Sequence, residues 1–243
     1  MMHLLNTVLA MLLVFNQGDC IRDRIIGGHE AKPHSRPYMV LVVYRSPERW
    51  SECDGFLVRE DFVMTAAHCK GTPMYVYPGL ISSSKLDNSL RVKAIPCPHP
   101  KYTSGRKHDI MLLKLKNNVT LTNKVGLLAL PRADNDALPT TNCLVPGWGA
   151  TVFSENSKNS DMLREINVTI DTSLDCGTPA EICTRATVED GPFKGDSGGP
   201  LVCGEVACGV VSQCSKNDKT FTHYYIRIAH YHHWIDKIMN TSH

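Results

Sequence analysis

Short apolar or alternating runs recur along the chain with Pro, Gly, Asn, Asp and Ser between them. They are Tyr38 to Tyr44, Gly55 to Val58, Phe62 to Ala66, Tyr75 to Tyr77, Leu90 to Ile95, Ile110 to Leu115, Cys143 to Val145, Met162 to Ile170, Gly199 to Cys203 and Val206 to Val211. Many short strands joined by turns over this length point to antiparallel sandwiches or barrels rather than a parallel sheet with crossover helices. One helix pattern stands out, at the end, where Tyr231, Trp234, Ile235 and Ile238 follow three-and-four spacing.

Composition narrows the setting. A chain of 243 residues with 42% hydrophobic residues builds a core, and 26 Lys plus Arg against 24 Asp plus Glu gives no case for nucleic acid as the main partner. Ten Cys are too few for a scaffold held by disulfides alone and generous for a reducing cytosol, so a secreted or granule protein is expected. Leu4 to Phe15 has the length of a signal-peptide core, and the polar step Asn16-Gln17-Gly18 follows it. We read 1–18 as a signal peptide and 19–24 as an activation segment; no later run is long enough to span a membrane.

Three segments carry the chemistry. Thr65-Ala66-Ala67-His68-Cys69 sets a titratable imidazole beside a Cys whose disulfide could fix the backbone. Asp109-Ile110-Met111-Leu112-Leu113-Lys114-Leu115 puts a carboxylate at the head of an apolar strand, where burial is costly unless an imidazole N–H meets it. In Gly195-Asp196-Ser197-Gly198-Gly199-Pro200, flanking glycines permit unusual backbone angles and let main-chain N–H groups converge on a developing oxyanion.

In the order His, Asp, Ser, these segments resemble the chymotrypsin-like serine proteases, the family of the well-studied Ser-His-Asp triad. Ile25-Ile26-Gly27-Gly28-His29-Glu30-Ala31-Lys32-Pro33-His34-Ser35-Arg36-Pro37-Tyr38-Met39, Pro146-Gly147-Trp148-Gly149 and Phe193-Lys194-Gly195-Asp196-Ser197 are similar to the granzyme and mast-cell protease subgroup. The resemblance implies an all-β fold of two antiparallel six-stranded barrels, the first over 25–130 and the second, with the C-terminal helix, over 131–243. It implies that Ser197 attacks the scissile carbonyl, His68 carries the proton, Asp109 orients His68 with Ser212 behind it, and the N–H groups of Gly195 and Ser197 form the oxyanion hole. Neither metal nor organic cofactor is expected, since the neighbouring base activates the hydroxyl. Cleavage after Arg24 by a trypsin-like protease would free the amino group of Ile25 to pair with Asp196. Family matches also imply disulfides Cys53 to Cys69, Cys143 to Cys203 and Cys176 to Cys183. They leave Cys97, Cys208 and Cys214, with Cys20 in the activation segment; Cys208 and Cys214 are too far apart to bridge if both lie on one extended strand, which leaves free thiols or an intermolecular link.

By position, Gly191 forms the floor of the substrate pocket, Gln213 and Cys214 one wall, His223 the back and Lys194 the rim. A floor without a carboxylate disfavours Lys or Arg. A protonated His223 favours an acidic side chain; a neutral one leaves a modest apolar pocket. Cys214, where relatives carry Gly, narrows the entrance, and Asp54, also in place of Gly, is expected near the leaving-group side. Asn118, Asn167 and Asn240 begin glycosylation sequons. His230, His232 and His233 do not all face one side of a helix, so no metal site is expected there. Protein or peptide substrates, serpin-type inhibitors and granule proteoglycan are the expected partners. Two functions follow: a secreted or granule-stored serine endopeptidase made as a zymogen, or a protease-shaped binding protein with little turnover.

Overall fold

The computed structural model describes residues 25–132, 141–152, 154, 157–186, 190–218 and 220–241. The expected signal peptide and activation segment lie outside the described residues, as does Ser242 of the last sequon.

The first lobe is a closed six-stranded barrel. Strands β2 (Met39–Arg45), β3 (Trp50–Arg59), β4 (Phe62–Thr65), β5 (Met74–Pro78), β6 (Val92–Pro98) and β7 (Met111–Leu115) follow the order β2-β3-β4-β7-β6-β5. Every neighbouring pair is antiparallel. Continuous Val, Leu, Phe and Met in β2, β4 and β7 suit strands buried on both faces, and Val40, Val42, Phe62, Val63, Met64 and Leu112 are fully buried.

The second lobe is a seven-stranded sheet in the order β1-β9-β8-β11-β12-β13-β10. Its strands are β1 (His29–Glu30), β8 (Asn142–Gly147), β9 (Arg164–Thr169), β10 (Glu181–Ala186), β11 (Pro200–Cys203), β12 (Val206–Asn217) and β13 (Thr220–Arg227). The bridge Ile170↔Thr184 brings the β9 end of the sheet against β10, so β8–β13 curl round as the second six-stranded unit expected from the sequence. The short strand β1 lies outside that unit and pairs only with β9.

Helix α1 (His232–Thr241) follows a 3₁₀ turn at Ile228–Tyr231. Tyr231 and Ile235 are buried while Asp236 and Lys237 face solvent, which is the spacing seen in the sequence. The Arg59 guanidinium on β3 donates to the Met239 carbonyl at 2.9 Å, tying the end of the helix to the first lobe. Among the described residues no helix is long and apolar enough to cross a membrane. The three disulfides expected from the resemblance are formed, and Cys97, Cys208 and Cys214 are free thiols, the last two both on β12.

Candidate active site

Asp109 stands two residues before β7, where the apolar strand carries it into the interior with 1% of its surface exposed. Three donors meet it there: the His68 amide at 2.8 Å, His68 Nδ1–H at 2.7 Å and the Ser212 hydroxyl at 2.6 Å. A buried carboxylate with three hydrogen bonds is well satisfied. Because Nδ1 donates to Asp109, His68 Nε2 carries the lone pair, so the half-exposed ring presents a base to the cleft.

Ser197 reaches the same place through its main chain. The Asp54 amide on β3 donates to the Ser197 carbonyl at 2.9 Å, and the neighbouring Cys53 is bridged to Cys69, the residue after His68. Gly198, at φ +85°, lies so close to the first lobe that a Cβ there would fall 2.1 Å from Thr65 Oγ1 and 2.4 Å from the Asp54 carbonyl. Only glycine permits both that angle and that approach. Serine and imidazole thus flank one disulfide. Among the described residues Ser197 Oγ has no hydrogen-bond partner and the amides of Gly195 and Ser197 have no acceptor. Two unsatisfied N–H groups next to a free hydroxyl are what an oxyanion requires.

The cleft beside Ser197, about 220 Å³, is lined by Pro192, Phe193, Lys194, Ser197, Val211, Ser212, Gln213 and Cys214. The structure thus brings Lys194, Ser212, Gln213 and Cys214 together with the serine. Gly191 and His223 are not among the residues that line the cleft, although His223 pairs across β13 and β12 with Cys214, which is. His223 is 5% exposed, its Nε2–H donates to the Asp190 carbonyl at 2.9 Å, and burial pulls its pKa below the ordinary value. A ring with lowered pKa is neutral at pH 7 and offers no charge to an acidic substrate side chain. Burial also pushes the Cys214 thiol up to about 11, so it lines the cleft as a neutral, soft wall. Gly191, at φ +111°, lets the His223 ring pack on its bare Cα, where a Cβ would fall 2.5 Å from Nε2. Gly191→Ala is expected to lower stability by about 1–3 kcal/mol from the backbone angle alone, read as a drop in thermal midpoint. An unchanged midpoint would mean that the backbone at 191 leaves the positive-φ region at no cost and the His223 ring gives way with it.

The Asp54 main chain lies against Ser197, but its side chain does not line the cleft: it is fully buried, with Oδ2 accepting the Trp148 amide at 3.1 Å. Its neighbour there is Asp196, also fully buried, whose Oδ1 and Oδ2 accept the Gly149 and Phe193 amides at 2.7 and 2.8 Å. The sequence shows the Asp in a Gly position, but only the fold shows which way it points. Ile25 is fully buried in the second-lobe core with Val145, Val211 and Tyr225, and the Gly191 amide donates to the Ile26 carbonyl at 2.8 Å. Arg24 lies outside the described residues. The asparagines at 118, 167 and 240 are exposed. The only described side-chain cluster with metal-ligand spacing, Cys53, His68 and Cys69, contains the disulfide and has no thiolate to offer.

Residues 25–235 match the family model described as Trypsin. Granzyme B of Rattus norvegicus is 40% identical over 232 residues, covering 90% of this chain and 92% of the relative. Duodenase-1 of Bos taurus is 39% identical with 89% of each chain covered, and chymase of Canis lupus familiaris is 38% identical with 99% of each covered. Among solved structures, neuropsin, a serine protease of mouse brain, superposes with a TM-score of 0.74 at 29% identity, covering 87% of this chain and 98% of its own. A matching family model across both lobes, and relatives of this similarity over nearly the whole chain, show that the protein belongs to the trypsin family of chymotrypsin-like serine proteases.

Proposed function

We propose that the chain is a serine endopeptidase, secreted or stored in a granule, that is made as a precursor and activated by cleavage after Arg24. The observation that carries this reading is the buried Asp109 holding His68 by two hydrogen bonds, with a free Ser197 hydroxyl and two free amides on the facing loop. In this reading His68 Nε2 takes the Ser197 proton as Oγ attacks the peptide carbonyl, and the amides of Gly195 and Ser197 receive the oxyanion. Each such donor contributes about 3 kcal/mol to the transition state. His68 then returns the proton to the leaving amine, and water repeats the cycle on the acyl-enzyme.

The pocket is not of the trypsin kind. No carboxylate lines the described cleft, and the neutral His223 paired with Cys214 gives no positive floor, so the space next to Cys214 suits a modest apolar side chain, with Lys194 the one cation at the rim. Granule storage is supported by the granzyme and mast cell protease relatives, and the exposed asparagines are open to glycosylation. A trypsin-like activator, serpin-type inhibitors and granule proteoglycan belong to the same reading.

The test is a fluorophosphonate probe added to the chain after cleavage at Arg24. Covalent labelling that disappears in Ser197→Ala is the expected result. Correctly cleaved, folded protein that takes no label would instead make it a protease-shaped binding protein. A peptide library dominated by Lys or Arg at the cleaved position would overturn the pocket assignment.

A further inference from the structure

Two carboxylates are buried side by side behind the catalytic loop, and the mechanism above uses only one of them. Gly147 locates the pair: a Cβ built there falls 2.2 Å from Asp196 Oδ1 and 2.5 Å from Asp54 Oδ2, so both acids crowd the bare Cα of one glycine. Asp196 is the better satisfied, with a backbone amide on each oxygen. Asp54 has one amide on Oδ2, and its Oδ1 is buried with no partner. Among the described residues no cationic side chain acts on either acid. The other charged group felt by Asp54 is Glu52 on the same strand, and Tyr225 of β13 faces Asp196. Two negative charges in a dry site with no cation cannot both persist, and the acid with fewer donors keeps the proton.

We propose that Asp54 is a positioning residue of the activation site: a carboxyl that stays protonated and neutral beside Asp196, so that the freed amino group of Ile25 meets one negative charge and not two. Burial is the largest cause of Asp54's upward shift and the Asp196 charge the next, whereas Asp196, raised by burial and lowered by its two amides, lies at about 7. The order of titration follows from the donor count. The proposal rests on reading Asp196 as the carboxylate that receives the Ile25 ammonium. On that reading, below about pH 7 the Asp196 carboxyl must release its own proton to solvent when the ammonium arrives, while Asp54 keeps its proton throughout. Insertion of the new terminus is therefore favoured by rising pH up to neutrality.

The inactive Ser197→Ala precursor tests the proton retained on Asp54 without any need for activity. Asn is the neutral isostere of protonated Asp, so Asp54→Asn should fold, and the comparison is the unfolding equilibrium of the two chains against pH. With the proton held in the fold and lost from the unfolded chain above its ordinary value, the parent loses stability relative to Asp54→Asn as pH rises. The expected change is about tenfold in the equilibrium constant per pH unit between roughly pH 5 and 7. A ratio independent of pH would overturn the proposal. Carbon NMR of ¹³C-carboxyl aspartate in the unmutated chain gives a second reading should the variant not fold. One resonance still in its protonated position at pH 7 after cleavage at Arg24 is expected, and titration of every aspartate below pH 5 would overturn the assignment. If the protonated resonance is present but cleavage changes no other aspartate, the proton on Asp54 stands and the pairing of Asp196 with Ile25 fails.

Discussion

Asp109→Asn, in the chain cut after Arg24, lowers kcat by about 10⁴-fold while the thermal midpoint falls only slightly. The size of the loss follows from a tautomer. Asp109 accepts from His68 Nδ1 at 2.7 Å and from the Ser212 hydroxyl at 2.6 Å on the same oxygen, and from the His68 amide on the other. Asn keeps one acceptor oxygen and gains an NH₂. The oxygen is claimed by the His68 amide, which cannot rotate, so the NH₂ faces the imidazole and Nδ1 must accept. The ring proton then sits on Nε2, and His68 has no lone pair for the Ser197 hydroxyl. Steady-state kinetics on a peptide substrate, with the thermal midpoint as the check that the variant is folded, measures the effect. A loss of less than tenfold would show that Asp109 does not set the orientation of His68.

The parts of this arrangement that a reader of the sequence can see are those whose signal is local. His68, Asp109 and Ser197 each stand in a short segment whose residue types announce themselves, and β2, β4 and β7 are nearly unbroken apolar runs. Strands β10 and β13 are not legible in the sequence because their stability comes from elsewhere in the chain. Glu181 opens β10 yet is met by Arg106 from the first lobe at 3.2 Å, and Thr222 and His223 interrupt the apolar period of β13 while the register with β12 holds them. Strand β6 also differs from its apolar run of Leu90 to Ile95. Asp87 accepts the Ser89 amide and turns Asn88–Leu90 into a 3₁₀ segment, so the strand starts at Val92. It continues past Pro96 to Pro98 because β5 pairs with it only through Ala94, where no proline N–H is missed. The pocket shows the same limit. Gly191 and His223 are the right residue types for a substrate pocket, but their depth depends on how the Gly191 Cα accepts the imidazole, a contact between β13 and a loop more than thirty residues away in sequence.

Replacing Asp196 by Asn in the cleaved chain should cost about 10²–10⁴-fold in kcat/KM, the equivalent of the roughly 3–5 kcal/mol lost when one partner of a buried ion pair is removed. Asp196 immediately precedes Ser197, and its two oxygens bind the amides of Phe193 and Gly149. One carboxylate therefore fixes the loop that carries both Ser197 and the free amide of Gly195. Asn satisfies one of those amides and sets an NH₂ against the other, and it leaves the Ile25 ammonium buried without a counter-charge. Loop and terminus then loosen together, so catalysis falls without loss of His68 or Asp109. The uncleaved chain should respond in the opposite way, because there the Asp196 charge has no cation and its pKa lies at about 7. A carboxyl raised above its ordinary value of 3.8 contributes stability that is complete below that value and is lost as pH rises towards 7. Asp196→Asn should accordingly stabilise the uncleaved chain relative to its parent at pH 7 and destabilise the cleaved one. Thermal unfolding of all four proteins, in the Ser197→Ala background to prevent self-digestion, decides the matter: shifts of the same sign in both forms would show that Asp196 holds its loop without receiving the new amino terminus.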